Sequence, residues 1–331
     1  MNLPDYPNFF GANVLITGGL GFIGSNLAIR LCELGAHVTL IDSLTPEYGG
    51  NLANIVPIAE RVRVNISDVR DKYSLRYLVQ GQDYLFNLAG QTSHLDSMQD
   101  PDTDLEINCR AQLSILETCR KYNPTLRLVY ASTRQIYGKP DYLPVDEKHP
   151  LRPVDVNGVN KLAGENYHLL YHRVYDIPTC CLRLTNTYGP RMRIKDARQT
   201  FVGIWIRRIL AGESFEVWEG TQLRDFTYVD DCVDAMLLAA HHPKALGRVF
   251  NLGGLERTSL NSLAQTLVDV HGTGSCVHKA FPAERKKIDI GDYYSDDRLF
   301  RSETGWSPQI DLREGLRRTL AYYCDNLDAY L

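Results

Sequence analysis

Apolar residues fall along this chain in short strand-length runs, each followed by a stretch with helical spacing. Val14-Leu15-Ile16 is such a run, and Ser25-Asn26-Leu27-Ala28-Ile29-Arg30-Leu31 follows it with apolar residues at helical intervals. Further strands are predicted at Val38-Thr39-Leu40-Ile41, Val62-Arg63-Val64, Tyr84-Leu85-Phe86-Asn87-Leu88 and Leu126-Arg127-Leu128-Val129-Tyr130. Leu105, Ile107, Leu113, Ile115 and Leu116 predict a long helix between Asp104 and Cys119. Another is predicted from Pro153 through Asn157, Lys161, Glu165 and Leu169 to about Val174, with a sixth strand from Thr179 to Leu184. Strands alternating with helices predict an α/β fold, a doubly wound parallel sheet that places ligands at the carboxyl ends of its strands.

Beyond Gly189-Pro190 the alternation lapses. Helices are predicted over 201–210 and 233–240 and a strand over 215–218, while Arg248-Val249-Phe250-Asn251-Leu252 reads as a strand able to return to the main sheet. Residues 260–331 read as short helices mixed with polar loops.

Composition narrows the class. At 331 residues, with 44% hydrophobic and 23% charged residues, the chain is of ordinary globular type and long enough for one large or two modest domains. A net charge of −4 gives no reason to expect nucleic acid or an anionic membrane as partner. Met1 to Phe10 lacks the basic and apolar regions of a signal peptide, and no apolar run reaches membrane-spanning length. The eight cysteines are scattered without a Cys-x-x-Cys pair, so no metal site or redox motif is expected and a reducing cytoplasm fits.

The candidate chemistry begins at Thr17-Gly18-Gly19-Leu20-Gly21-Phe22-Ile23-Gly24, between the first strand and its helix. Glycines allow a tight turn and close backbone approach, and the helix N-terminus offers free N–H groups to a pyrophosphate. A plain tight turn would use the same residues. Asp42, about 20 residues on at the end of the second strand, is placed to bond adenosine ribose hydroxyls and to repel a 2′-phosphate, which argues for NAD over NADP. A helix cap or turn is the bland role for Asp42.

With Asp68-Val69, Asn87-Leu88-Ala89-Gly90, Ser132-Thr133 before Tyr137-Gly138, Lys161, Leu182 to Pro190, Arg224 to Asp231 and Gly305-Trp306-Ser307-Pro308 in the same order, the chain resembles the extended short-chain dehydrogenase/reductase family, in its nucleotide-sugar epimerase and dehydratase branch. The resemblance implies a Rossmann-type sheet with a smaller C-terminal substrate-binding region, and tightly bound NAD used and restored within one cycle. It implies Gly18, Gly21, Phe22, Ile23, Gly24, Asp42, Asp68, Val69, Leu88, Ala89 and Lys161 at the cofactor, and Thr92, Asn186 and Arg224 at a UDP-, dTDP-, CDP- or GDP-linked sugar. A homodimer through the helices around 105–119 and 162–174 is implied as well. The expected organisation is residues 1–185 mainly for NAD, with 225–255 returning to that domain, and 186–224 with 256–331 mainly for substrate.

Three departures matter. The family signature is Tyr-x-x-x-Lys, but Val156-Asn157-Gly158-Val159-Asn160-Lys161 keeps the lysine and puts Asn157 in the tyrosine position. An amide cannot accept a proton near neutral pH, and general acid–base help is worth about 10²–10⁴ in rate. His94, in the loop after the fourth strand, is the candidate substitute proton carrier, or else a loop histidine with one structural contact. Next, Arg134-Gln135 follows Thr133 where related 4,6-dehydratases carry an acid pair, which disfavours ordinary dehydration. Arg134 could pair with a substrate carboxylate or lie at the surface. Last, Arg285-Lys286-Lys287-Ile288-Asp289 stands where relatives often show Arg-x-Gly-Asp.

The expectation is an NAD-dependent nucleotide-sugar epimerase with Thr133, Asn157, Lys161 and His94 around the reacting carbon. The alternatives are an unusual dehydratase or decarboxylase, for example on UDP-glucuronic acid, and a non-catalytic NAD or nucleotide-sugar binding protein.

Overall fold

The structure is a computed structural model describing residues 8–196, 198, 200–282 and 288–331. Arg285, Lys286 and Lys287 lie outside the described residues.

Seven strands make the central sheet: β1 (Asn13–Thr17), β2 (His37–Asp42), β3 (Val62–Ile66), β4 (Tyr84–Asn87), β5 (Arg127–Thr133), β6 (Thr179–Leu184) and β10 (Arg248–Asn251). They lie in the order β10-β6-β5-β4-β1-β2-β3, and every neighbouring pair is parallel. This is the doubly wound sheet that the alternation of strands and helices predicts, with β10 returning to its edge. Successive strand residues face opposite sides, so Val14 and Ile16 join one core while Leu15 joins another. The first core packs α1 (Phe22–Glu33) and α8 (Val229–His241) on the sheet; the second packs α5 (Ala111–Tyr122) and α6 (Val156–Tyr175). Burial on both faces explains why the inner strands β1, β4, β5 and β6 are mostly apolar, whereas the edge strand β3 is largely exposed.

The predicted helix over 104–119 lies within a longer helical run. It consists of α4 (Pro101–Leu105), a π-helical turn at Glu106–Arg110 and α5. The helix predicted from Pro153 starts at Val156, because Asp155 is its N-cap: extended backbone, with a side chain that accepts from the Gly158 N–H at 2.7 Å.

Outside the main sheet, β7 (Asn186–Tyr188), β9 (Leu223–Tyr228) and β11 (Arg257–Ser259) form a three-stranded sheet, and β8 (Phe215–Trp218) pairs with β12 (Cys276–Lys279). Of these, the apolar pattern marks only β8; β7 and β11 have three residues each, and the six residues of β9 carry no regular apolar alternation. Helix α8 begins at Val229 rather than Val233. The 260–331 region, expected to hold only short helices, contains α9 (Leu260–His271) and a 15-residue helix at Leu312–Asn326. Within 225–255, α8 and β10 join the main sheet, whereas β9 pairs in the small one. Among the described residues no helix is long and apolar enough to cross a membrane.

Candidate active site

A cavity of about 640 Å³ opens at the carboxyl ends of the central strands and extends to β9 and the residues beyond β12. Every residue singled out from the sequence for cofactor, substrate or catalysis lines it.

The loop after β1 forms one wall. Thr17 anchors it: its hydroxyl donates to Asn87 Oδ1 at 2.9 Å and accepts from the N–H groups of Leu88 and Ala89, both at 3.1 Å. The ends of β1 and β4 are thereby clipped together, which puts Leu88 and Ala89 beside Gly18. A Cβ on Gly18 would come 3.0 Å from Ala89 N, on a backbone with φ +68°, and one on Gly24 would meet Gly18 O at 2.2 Å. No side chain caps α1, whose N-cap is Gly21. Phe22, Ile23 and Gly24, the first turn of this uncapped helix, line the cavity, the arrangement a pyrophosphate needs. These residues fit the phosphates of a dinucleotide.

Asp42 ends β2 with its carboxylate held by the backbone. Oδ2 accepts from Leu20 N–H at 3.1 Å and Oδ1 from Leu44 N–H at 2.9 Å. Burial raises its pKa despite those bonds. Its cap-like contacts and its place on the cavity wall coexist, so the bland role does not displace the ribose role. Asp68 is held by Arg70 in a bidentate ion pair, at 2.9 and 2.6 Å, and Val69 beside it is buried. The Arg70 hydrogen bond, foremost, lowers the Asp68 pKa.

Lys161 is buried on α6, with Nζ donating to Ala131 O at 3.1 Å and lying 5.1 Å from the Tyr130 ring centre. Loss of hydration pulls its pKa down to about 8, partly countered by the Asp104 charge. Thr133, at the end of β5, uses its hydroxyl to accept from Gln135 N–H at 3.2 Å, which starts the turn after the strand.

Asn157 is also buried, and its amide is spoken for. Nδ2 donates to Gln91 O at 2.8 Å and to Asp104 Oδ2 at 3.0 Å. Asp104 also accepts from Asn108 at 3.0 Å and Asn160 at 2.8 Å. An amide network built on one buried carboxylate thus surrounds the position where a tyrosine is expected. His94 begins the helix His94–Gln99 on the cavity wall, and its Nδ1 lies 2.9 Å from Oδ2 of Asp155, whose side chain is fully buried. That same Oδ2 accepts from Gln135 Nε2 at 2.9 Å.

On the substrate side, Thr92 stands exposed in the loop after β4. Asn186 donates to Asp225 O and accepts from Arg134 Nη2, both at 3.1 Å. Arg224 is buried rather than on the surface; it donates to Leu223 O and Gly291 O and lies 3.6 Å from Asp289. Loss of hydration, then the Arg134 charge, lowers its pKa to about 10. Arg134 is not a surface arginine either: it lines the cavity, with its guanidinium 5.2 Å from the Tyr293 ring centre.

Sequence reasoning missed Gln91, Asp104, Asp155 and Asn160. Asp155 had a visible signal, an Asp three residues before the Gly158 N–H it caps. The spacing of Asp104 and Asn108, four apart, hints at a shared face but not at what they face. Among the described residues there is no cluster of three or more His, Cys, Asp or Glu able to hold a metal ion.

Comparison with known proteins places this geometry. The model of the NAD dependent epimerase/dehydratase family matches residues 14–253. A putative UDP-glucose 4-epimerase of Methanocaldococcus jannaschii is 35% identical over 317 residues, covering 95% of this chain and 99% of the relative. The UDP-glucose 4-epimerase of Thermotoga maritima, solved with UDP-glucose, superposes with a TM-score of 0.87 at 30% identity, covering 95% of this chain and 99% of the other. The UDP-glucuronic acid 4-epimerase of Bacillus cereus, solved with UDP-glucuronic acid and NAD, gives 0.83 at 28%, covering 95% and 99%.

Proposed function

The chain belongs to the NAD-dependent epimerase/dehydratase family, and from that premise we propose that it is a nucleotide-sugar epimerase with a rebuilt proton-transfer site. The observation that carries this reading is one cavity joining the glycine cradle, Thr133 and Lys161 to Arg224, with no carboxylate at positions 134 and 135. Bound NAD would supply the hydride acceptor and donor that oxidation and re-reduction at a sugar carbon require.

The protein's own residues do the rest. Gly18, Gly21 and Gly24 with the N–H groups of Phe22 and Ile23 hold the pyrophosphate, and Asp42 holds the adenosine ribose. Asp68, Val69, Leu88 and Ala89 line the rest of the cofactor site. Thr133 hydrogen-bonds the reacting hydroxyl. Lys161, a buried cation, orients the cofactor and favours loss of a proton nearby. Asn157 supplies no base, since its Nδ2 is a donor already engaged with Gln91 and Asp104. His94 carries the proton in this reading, with the Asp155 carboxylate 2.9 Å from its Nδ1, a distance without hydrogen-bond alignment, placed to stabilise the charged imidazole. Arg224 grips the diphosphate, with Asn186 and Thr92 beside it.

The two-part organisation read from the sequence, with 186–224 and 256–331 mainly on the substrate side, is part of this reading. A cytoplasmic homodimer is part of it too. Val159, Leu170 and Val174 are exposed at spacings that put them on one stripe of α6, as a helix–helix interface would require. Purified protein is expected to carry NAD and to interconvert the 4-epimers of at least one UDP-, dTDP-, CDP- or GDP-linked sugar. Absence of turnover across that panel with NAD bound would sink the proposal.

A further inference from the structure

Asp104 lies in α4 with none of its surface exposed, and three amides close around it. Oδ2 accepts from Asn157 Nδ2 and Asn108 Nδ2, both at 3.0 Å, and Oδ1 accepts from Asn160 Nδ2 at 2.8 Å. These bonds satisfy its lone pairs but not its charge, and a buried charge is costly without an opposite one nearby. Asn157, Asn160 and Lys161 share one face of α6, so the carboxylate that holds the two amides stands against the lysine as well. Asn108 ties them from the other side: a Cβ on Gly90 would come 2.9 Å from Asn108 Oδ1 and 3.0 Å from Lys161 Nζ.

Lys161 lacks an opposite charge of its own elsewhere. Nζ has Ala131 O at 3.1 Å and the face of the Tyr130 ring, and Asp104 is the charge that offsets its burial. The other titratable groups around this part of α6 are engaged or neutral. Glu165 holds Arg183 at 2.6 and 3.1 Å, His94 lies 2.9 Å from Asp155, and burial keeps His168 and the Tyr130 phenol uncharged. We propose that Asp104 is a positioning residue, the fixed counter-charge of Lys161 at the point where the cofactor cradle meets the reacting end of the cavity. An amide at 157 suits such a carboxylate, whereas a tyrosinate there would set a second negative charge against it. The inference rests on the place that the proposed function gives Lys161, and it names the residue that sustains that lysine.

The test is a double-mutant cycle on the full chain with NAD in excess: urea midpoints at pH 7 of wild type, Asp104→Asn, Lys161→Met and the double variant. Asp104→Asn keeps the side-chain shape and removes the charge. It should lower the midpoint at least about twice as far in the wild-type background as in the Lys161→Met background. A hub that only holds amides would cost the same in both. The alkaline limb of kcat/KM should also move down by about one pH unit in Asp104→Asn, because Lys161 then gives up its proton more readily. Equal midpoint losses in the two backgrounds overturn the inference, and so does an unmoved alkaline limb in folded Asp104→Asn. If Asp104→Asn alone does not fold, the double variant should fold where the single does not, and its failure to do so overturns the inference equally. Midpoints need no turnover, so a chain that epimerises no sugar would refute the proposed function while the cycle still decides the pairing.

Discussion

Asp155→Asn separates what Asp155 does for the fold from what it does for proton transfer. In the fold, Oδ1 caps α6 by accepting from Gly158 N–H at 2.7 Å. At the site, Oδ2 meets His94 Nδ1 and Gln135 Nε2, each at 2.9 Å. Asparagine caps helices as well as aspartate does, so stability should fall by only about 1 kcal/mol, whereas Asp155→Ala loses the cap and should cost about 2–4 kcal/mol. The chemistry should respond in the opposite proportion. A neutral amide in place of the carboxylate would remove the negative charge 2.9 Å from Nδ1 that stabilises a protonated imidazole, so His94 would accept a proton less readily. Removing a general base costs about 10²–10⁴ in rate, so kcat/KM for epimerisation should drop at least about 10²-fold. His94→Gln should lose about as much, and the double variant no more than either, because the two residues act as a unit. The carboxyl of Asp155 is pushed up by burial but held down, on balance, below its ordinary range by His94, Gly158 N–H and Gln135. A lowered carboxyl adds stability above its unfolded pKa that is lost as pH falls through the folded value, so Asp155→Asn should also blunt acid unfolding. Activity within about three-fold of wild type in Asp155→Asn, or losses that multiply in the double variant, would refute the dyad.

Other residues give equally direct tests. Gly24→Ala places a Cβ 2.2 Å from Gly18 O, so the purified variant should come without NAD, seen as a lower 260/280 nm absorbance ratio; full NAD content would contradict the cradle. Asn157→Tyr, which would restore the family signature, should lower turnover rather than raise it. It strips Gln91 O of a donor and Asp104 of one of its amides, and a gain of activity would show that the site is lapsed rather than rebuilt. Lys161 titrates near 8 when folded against about 10.4 when unfolded, so the unfolded chain binds more protons between those values and stability contributed by this residue rises with pH there. The urea-unfolding free energy of wild type relative to Lys161→Met should therefore increase from pH 7.5 to pH 9.5; a constant difference would mean that Lys161 is not desolvated.

Much of the molecule was legible in the sequence because its information is local. Strands buried on both faces must be apolar, a turn against a phosphate must be glycine, and a ribose ligand must end the second strand. Val14–Ile16, Gly18–Gly24 and Asp42 each satisfy such a rule within a few residues of chain. The identity of Asn157 was legible too, but not its circumstances. That its amide is consumed by Gln91 and Asp104, more than 50 positions away, is decided by how α6 packs on the helical run 101–122. The same holds for His94 and Asp155, 61 positions apart, and for β7 and β11, which are too short to show a period and exist through pairing. Sequence by itself determined the sheet, the glycine turn that follows its first strand and the missing phenol. Tertiary structure alone decided which imidazole lies against a buried carboxylate and which amide is already engaged, because desolvation and charge pairing depend on neighbours in space rather than along the chain.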